Sequence, residues 1–207
     1  MLIAEAIAGG WDIEAEFVAP GAEAVSSTTT FELADGVLER VASTERPQPN
    51  LAVVRMRQDL VALGDLDFVL VADQLNDPGN LGTILRSSEA AGVHAVALTP
   101  GSVDPFNPKV VRASAGALFH VPVITATLED VRTAGLTLVG TSSHHGDRHT
   151  DADWAGRIAI VMGSEAHGLS DGAPVDRWVR IEHEGRAESL NVAMAATLLV
   201  FQAAQRR

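Results

Sequence analysis

Four short apolar runs constrain this chain more than any other feature: DFVLVAD (67–73), HAVALTP (94–100), LTLVGTS (136–142) and RIAIVMG (157–163). Each is bounded by Gly, Pro, Asp or Ser and is too short for an average helix. Helical patterns lie between several of them, at 80–91, 107–117 and 127–134. Strands that are apolar at consecutive positions bury both faces, and helices between them are the crossovers that parallel strands need. The expected fold class is therefore α/β, a mostly parallel sheet covered by helices. A last segment, 188–206, is a strong helix whose residues 190–201 (LNVAMAATLLVF) hold one amide, one hydroxyl and no charge. A helix with so little polar face must be buried nearly all round, and at a chain end that suggests a second subunit.

Upstream the pattern is weaker. Residues 1–9 read as the end of a helix stopped at Gly9-Gly10, 13–18 as a strand, 31–42 as a helix and 51–56 as a strand. RQDLVALGD then passes without useful periodicity to the second region. The expected division is a small domain over 1–57 and a larger one over 66–207.

Composition excludes several classes. The chain has 207 residues, enough to bury a sizeable core, and 46% hydrophobic against 20% charged residues argues for a folded protein. No apolar run reaches the ~20 residues that span a bilayer, and no basic-then-apolar leader follows Met1. With no cysteine, disulfides and zinc–thiolate sites are ruled out. A soluble, cytoplasmic protein is the expectation. Lys+Arg 15 against Asp+Glu 27 gives −12, which opposes nonspecific attraction to a polyanion. The deficit is even: 4 − 10 = −6 over residues 1–60 and 11 − 17 = −6 over 61–207. Any nucleic acid must be held by local arginines.

Three clusters can carry chemistry. DQLNDPGNLGTILRSSEAAG (73–92) is a turn rich in Asn, Asp, Pro and Gly that enters a helix, with Asn80 a candidate N-cap and Arg86 two turns in. It lacks G-x-G-x-x-G, so it is no dinucleotide fingerprint. IVMGSEAHGLS (160–170) ends a strand in Gly163 and continues through Ser164, Glu165 and Gly168, at the carboxyl edge where open α/β sheets bind ligands. It does not fit the G-x-S-x-G nucleophile elbow. IEHEGRAESLNVAMAATLLVFQAAQ, from Ile181, opens the last helix with Ser189, Leu190 and Asn191. Taken singly, each cluster is equally well read as an ordinary junction between elements.

In this order and spacing, the three clusters closely resemble the signature motifs of the SpoU (TrmH-type) RNA 2′-O-ribose methyltransferases of the SPOUT superfamily, over about residues 66–205. Departures are small: Ser87-Ser88 where the family often has Thr-Ala, and Ala193 where it often has Ser. Residues 1–57 resemble, more weakly, the small ribosomal-protein-like RNA-binding domain many members carry, here incomplete because the family's copy starts upstream of the position of Met1. The resemblance implies a C-terminal trefoil knot and a homodimer formed through the knot and last helix. It also implies S-adenosylmethionine as cofactor and RNA as partner, rRNA rather than tRNA, with no metal and no membrane. Thr141, Gly163, Ile181 and Leu190 match positions whose loops hold the cofactor.

The implied reaction is in-line methyl transfer from a sulfonium to a ribose 2′-hydroxyl. The donor is already activated, so the protein supplies positioning and helps the hydroxyl lose its proton. The family assigns the base role to Arg86. A guanidinium is almost always protonated and has no acceptor, so an electrostatic role is favoured: a bidentate contact to the adjoining phosphate and stabilisation of the developing alkoxide. Asn80 matches the residue bracing the turn, and Glu165, Ser189 and Asn191 the remaining polar site residues. Two other functions compete: an RNA-binding or assembly factor that lost catalysis, and a nucleotide-dependent oxidoreductase. The intact motif residues argue against the first, and the missing glycine fingerprint against the second. The segment His144–His149 is expected to be a solvated loop, Trp11, Trp154 and Trp178 to be packing residues, and Arg112 is a secondary candidate for RNA phosphate.

Overall fold

The computed structural model describes residues 2–42, 46–57, 61–170, 172–186 and 189–206. The chain divides into two compact units, residues 1–58 and 59–207.

In the first unit, α1 (Leu2–Ala8) ends at Gly9 and Gly10 and leads into β1 (Ile13–Val18). β1 is the middle of a three-stranded sheet, parallel to β2 (Thr30–Glu32) and antiparallel to β3 (Asn50–Val54). The expected helix over 31–42 is wrong for most of its length. Residues 30–32 extend along β1, and only α2 (Val37–Val41) is helical, entered through Gly36 at φ 74. An edge strand held by pairing overrode the helical spacing of FELADGVLERVA. Glu16 on β1 is fully buried, and its carboxylate accepts from the N–H groups of Val25 and Ser26, the Ser26 hydroxyl and the Asn50 amide at 2.7–3.1 Å. This ties the loop after β1 to the sheet.

The second unit is a seven-stranded sheet in which every pairing is parallel. Its strands are β4 (Phe68–Ala72), β5 (Ala95–Leu98), β6 (Val123–Thr125), β7 (Thr137–Ser142), β8 (Asp147–Arg148), β9 (Ile158–Met162) and β10 (Arg177–Arg180). They lie in the order β6-β5-β4-β9-β7-β10-β8. β4, β5 and β9 are buried at every position, as their continuous apolar runs require. Side chains alternate: Phe68, Leu70 and Ala72 face one core with Leu81, Ile84, Leu85, Ala196 and Leu199. Val69 and Val71 face another with Val131, Leu136 and Leu138. The first face is covered by α3 (Pro78–Ala90), α4 (Pro108–Ala113) and α6 (Val192–Arg206), and the second by α5 (Leu128–Thr133). α3 and α4 approach closely at Gly82, where a Cβ would collide with the Ala113 side chain and lie 2.8 Å from the Ser114 nitrogen.

The last helix is not buried all round by its own chain. Ala193, Ala196, Leu199, Val200 and Ala203 pack inward, while Met194, Leu198 and Phe201 stay 63%, 46% and 39% exposed. No helix among the described residues is long and apolar enough to cross a membrane.

Candidate active site

At the carboxyl edge of the sheet, β7, β9 and β10 each end in a loop, and the segment before α6 joins them. Together they enclose a cleft of about 570 Å³, within the size range of small-molecule sites. Thr141, Gly163, Glu165, Ile181, Ser189, Leu190 and Asn191, far apart in sequence, all line it. So do Met162 and His167, inside the 161–168 loop, and His183, inside the 181–190 loop, both of which the resemblance assigns to the cofactor, and His145, from the segment expected to be a solvated loop. The sign for His145 was its place just after a strand end. Its ring sits 4.6 Å from that of Trp178, and its Nδ1 lies 3.0 Å from the Ser142 hydroxyl.

Glycine is obligatory in the second loop. The chain turns back at Gly163 so tightly that a Cβ would collide with the backbone of Gly168 and Leu169. Ser164 and Gly168 bridge across the turn, and Gly168 has φ 65. The fold therefore draws the main chain of 163–169 into a tight turn along this wall. Thr141 donates its hydroxyl to the Val161 carbonyl at 3.0 Å, pinning β7 to β9 at the cleft edge.

Asn80 is not the cap of α3. Asp77 is: its carboxylate accepts from the Asn80 N–H at 2.9 Å, with Pro78 in the first helical position. This frees the Asn80 side chain for a longer-range task. Its amide donates to Glu165 at 3.1 Å, and its oxygen accepts from the Asn191 amide at 3.1 Å. Glu165 also accepts from the N–H groups of Asp77 (3.0 Å) and Asn76 (3.3 Å). Asn191 caps α6, its oxygen accepting from the N–H of Ala193 at 2.9 Å. One chain of hydrogen bonds thus links the starts of α3 and α6 to the glycine turn.

Burial pushes the Glu165 carboxyl up, but the Asn80 amide and the backbone N–H groups outweigh it, and the group lies below the ordinary carboxylate range. Asp77 is lowered too, first by the Asn80 N–H against a partial burial effect, then by Lys109, whose ammonium lies 3.4 Å away. Both stay ionised at neutral pH.

Arg86 stands apart. It is exposed on α3 and does not line the cleft. Its neighbour Ser87 hydrogen-bonds Thr197 of α6 at 2.6 Å, which ties this turn of α3 to the helix that carries the exposed Met194, Leu198 and Phe201. Among the described residues, no group of three or more His, Asp or Glu side chains is placed to hold a metal.

The model of the SpoU rRNA Methylase family matches residues 67–201. The chain is 34% identical over 178 residues to the 23S rRNA (guanosine(2553)-2′-O)-methyltransferase RlmP of Bacillus subtilis, covering 83% of this chain and 71% of the relative. Among solved structures, the AdoMet-bound rRNA methyltransferase of Sinorhizobium meliloti superposes with a TM-score of 0.86 at 28% identity, over 99% of this chain and 84% of that one. The SpoU methyltransferase AviRb of Streptomyces viridochromogenes, in complex with the cofactor AdoMet, gives 0.86 at 29%, over 99% and 87%.

Proposed function

We propose, from the premise that the chain belongs to the SpoU rRNA Methylase family, that it methylates a ribose 2′-hydroxyl of ribosomal RNA using S-adenosylmethionine. The observation that carries this is the convergence of the second and third motif loops, with the loop after β7, on one cleft, tied through Glu165 and Asn80 to the first-motif helix that bears Arg86.

The cleft suits the cofactor. Its glycine turn offers backbone donors and acceptors, while Ile181 and Leu190 supply apolar surface for an adenine ring. The bound sulfonium would supply an activated methyl group. The chain's own residues do the rest. Thr141, Gly163, Ile181 and Leu190 shape the cofactor wall. Arg86 presents a planar fork to the phosphate beside the target ribose and stabilises negative charge on the 2′-oxygen. Ser189 sits at the cleft edge, with a hydroxyl for the RNA backbone or the departing proton. Asn80, Glu165 and Asn191 hold the starts of α3 and α6 in register, so that ribose and methyl donor meet in line.

The reading includes a twofold homodimer. The exposed apolar stripe on α6 is the surface such a pair would bury, and Arg86, exposed on α3 and outside its own cleft, would complete the partner's site. It also includes a trefoil knot in the chain path. The supporting feature is strand order: β9 follows β7 in sequence yet lies between β4 and β7, and β10 lies on the other side of β7. The first unit would grip structured RNA outside the target nucleotide, and an rRNA substrate places the enzyme in the cytoplasm. The test is to map ribose methylation in rRNA from cells lacking the gene. One 2′-O-methyl group should disappear and return with the wild-type gene but not with Arg86→Ala. An unchanged methylation map would overturn the reading.

A further inference from the structure

The sequence contains fourteen arginines and a single lysine, Lys109. Its position is specific. It lies at the start of α4, its stem lies over Gly79 at the start of α3, and its ammonium is 3.4 Å from Asp77. Asp77 in turn donates its N–H to Glu165, which lines the cleft. Lys109 is therefore two contacts from the site while 57% exposed.

Five cations of this unit are held elsewhere. Arg132 pairs with Asp176, Arg148 and Arg180 with Glu182, and Arg177 with Asp153. Arg157 is turned inward, donating to the carbonyls of Leu63, Gly64, Leu66 and Ala134. Gly79, Thr83 and Arg86 follow one another along one side of α3 at helical spacing, and α4 packs beside it with Lys109 facing Gly79 and Ala113 facing Gly82. Arg112, one turn after Lys109, is exposed. Lys109 and Arg112 thus stand on a helix that packs against the one bearing Arg86, in a chain whose net charge is −12.

We infer that Lys109, with Arg112 beside it, forms a phosphate-binding track that seats the RNA backbone next to the nucleotide addressed by Arg86. The inference rests on the rRNA methyltransferase reading and adds to it a contact outside the three motifs. The energetics favour it. An exposed ion pair such as Lys109–Asp77 contributes about 0–1 kcal/mol, so exchanging a carboxylate for a phosphate is nearly free. Each phosphate neutralised releases counterions and strengthens binding in a salt-dependent way. Lysine suits a phosphate that is held as a point charge, whereas the planar fork of Arg86 suits the reacting nucleotide. Gly79 leaves this start of α3 open, because a Cβ there would lie 2.8 Å from the Asp77 carboxylate that pairs with Lys109.

The lone lysine makes the test specific. The intact protein, saturated with S-adenosylhomocysteine, is treated with an amine-acylating reagent with and without unmodified 23S rRNA transcript, and the Lys109 peptide is followed by mass spectrometry. The RNA should slow acylation of Lys109 at least about fivefold relative to the protein without RNA. Lys109→Ala should raise KM for the transcript about tenfold and lower the salt slope of binding by about one. Cofactor affinity should hold, and Lys109→Arg should restore most of the loss. A Lys109 that merely braced the α3 cap through Asp77 would lower kcat and leave the salt slope alone, and that result overturns the inference. So does equal acylation when the wild type binds and methylates the transcript. Failure of the wild type to methylate any rRNA would strike the underlying reading instead.

Discussion

Replacing Glu165 by Gln tests the hydrogen-bond chain with almost no change of shape. The carboxylate accepts three bonds, at 3.0 Å from Asp77 N–H, 3.1 Å from the Asn80 amide and 3.3 Å from Asn76 N–H. Glutamine keeps one acceptor oxygen. Placed at Oε1, it retains the Asp77 and Asn80 bonds as neutral ones, roughly half as strong, and turns an NH₂ toward the Asn76 N–H. A lost bond to a charged acceptor is worth about 1.5–3 kcal/mol when buried. Glu165 is exposed, so water recovers part of this, leaving about 1–2 kcal/mol of lost preorganisation. If that appears in the transition state, single-turnover methyl transfer falls about 5- to 30-fold. S-adenosylmethionine affinity, measured by calorimetry, should change by less than about threefold, since the glycine turn keeps its backbone, and the melting temperature should barely move because the loss is local. A turnover within about twofold of wild type would refute the claim that this chain of bonds positions Arg86 and the cleft. A large fall in melting temperature with normal turnover would show the bonds to be purely structural.

Four further outcomes are expected. Gly163→Ala forces a methyl group into the Gly168 backbone and should weaken cofactor binding more than about tenfold, with overpacking strain of about 1–3 kcal/mol in thermal unfolding. Leu198→Glu, on the exposed stripe, should give an inactive monomer by light scattering, whereas Leu199→Ala, on the buried face, should lower stability by about 2–5 kcal/mol and leave the dimer formed. Mixing Arg86→Ala with Gly163→Val chains should restore about a quarter of the sites if Arg86 serves its partner, and no recovery would place Arg86 on its own cleft. Burial pushes the Glu16 carboxyl up, but the Ser26, Val25 and Asn50 hydrogen bonds outweigh it and lower it from 4.5 to about 2. Its stabilisation should be fully present above pH 4.5 and fade as pH falls through the folded value of about 2. Glu16→Gln should flatten that acid limb in unfolding followed by circular dichroism.

The strands readable from sequence are those whose environment leaves an unbroken apolar run. β4, β5 and β9 are buried at every position, and their bounds lie inside the runs that announced them. β6, β8 and β10 are short and carry exposed or charged residues, so pairing, not composition, makes them strands. The cap of α3 was legible in principle: a proline in the first helical position points to the residue before it, Asp77. Reading Asn80 as the cap hid its actual contacts, with partners 85 and 111 positions away, a separation no local pattern encodes. The cleft was legible only as motifs. That the loops after β7, β9 and β10 meet there follows from strand order, which spacing does not reveal. Helical period alone also cannot choose which side of α6 faces the core. Leu198 and Leu199 are chemically identical, and one is 46% exposed while the other is 1%.

The central claim is chemical, and one experiment addresses it directly. The purified protein is incubated with S-adenosylmethionine labelled in its methyl group and an unmodified 23S rRNA transcript. The RNA is then digested to nucleosides and analysed by mass spectrometry. The account predicts a single 2′-O-methylated nucleoside carrying the label, formed by wild type. It should be lost with Arg86→Ala and with Arg86→Lys, both still binding the cofactor. Label on a base, or a turnover near wild type for Arg86→Lys, would contradict it.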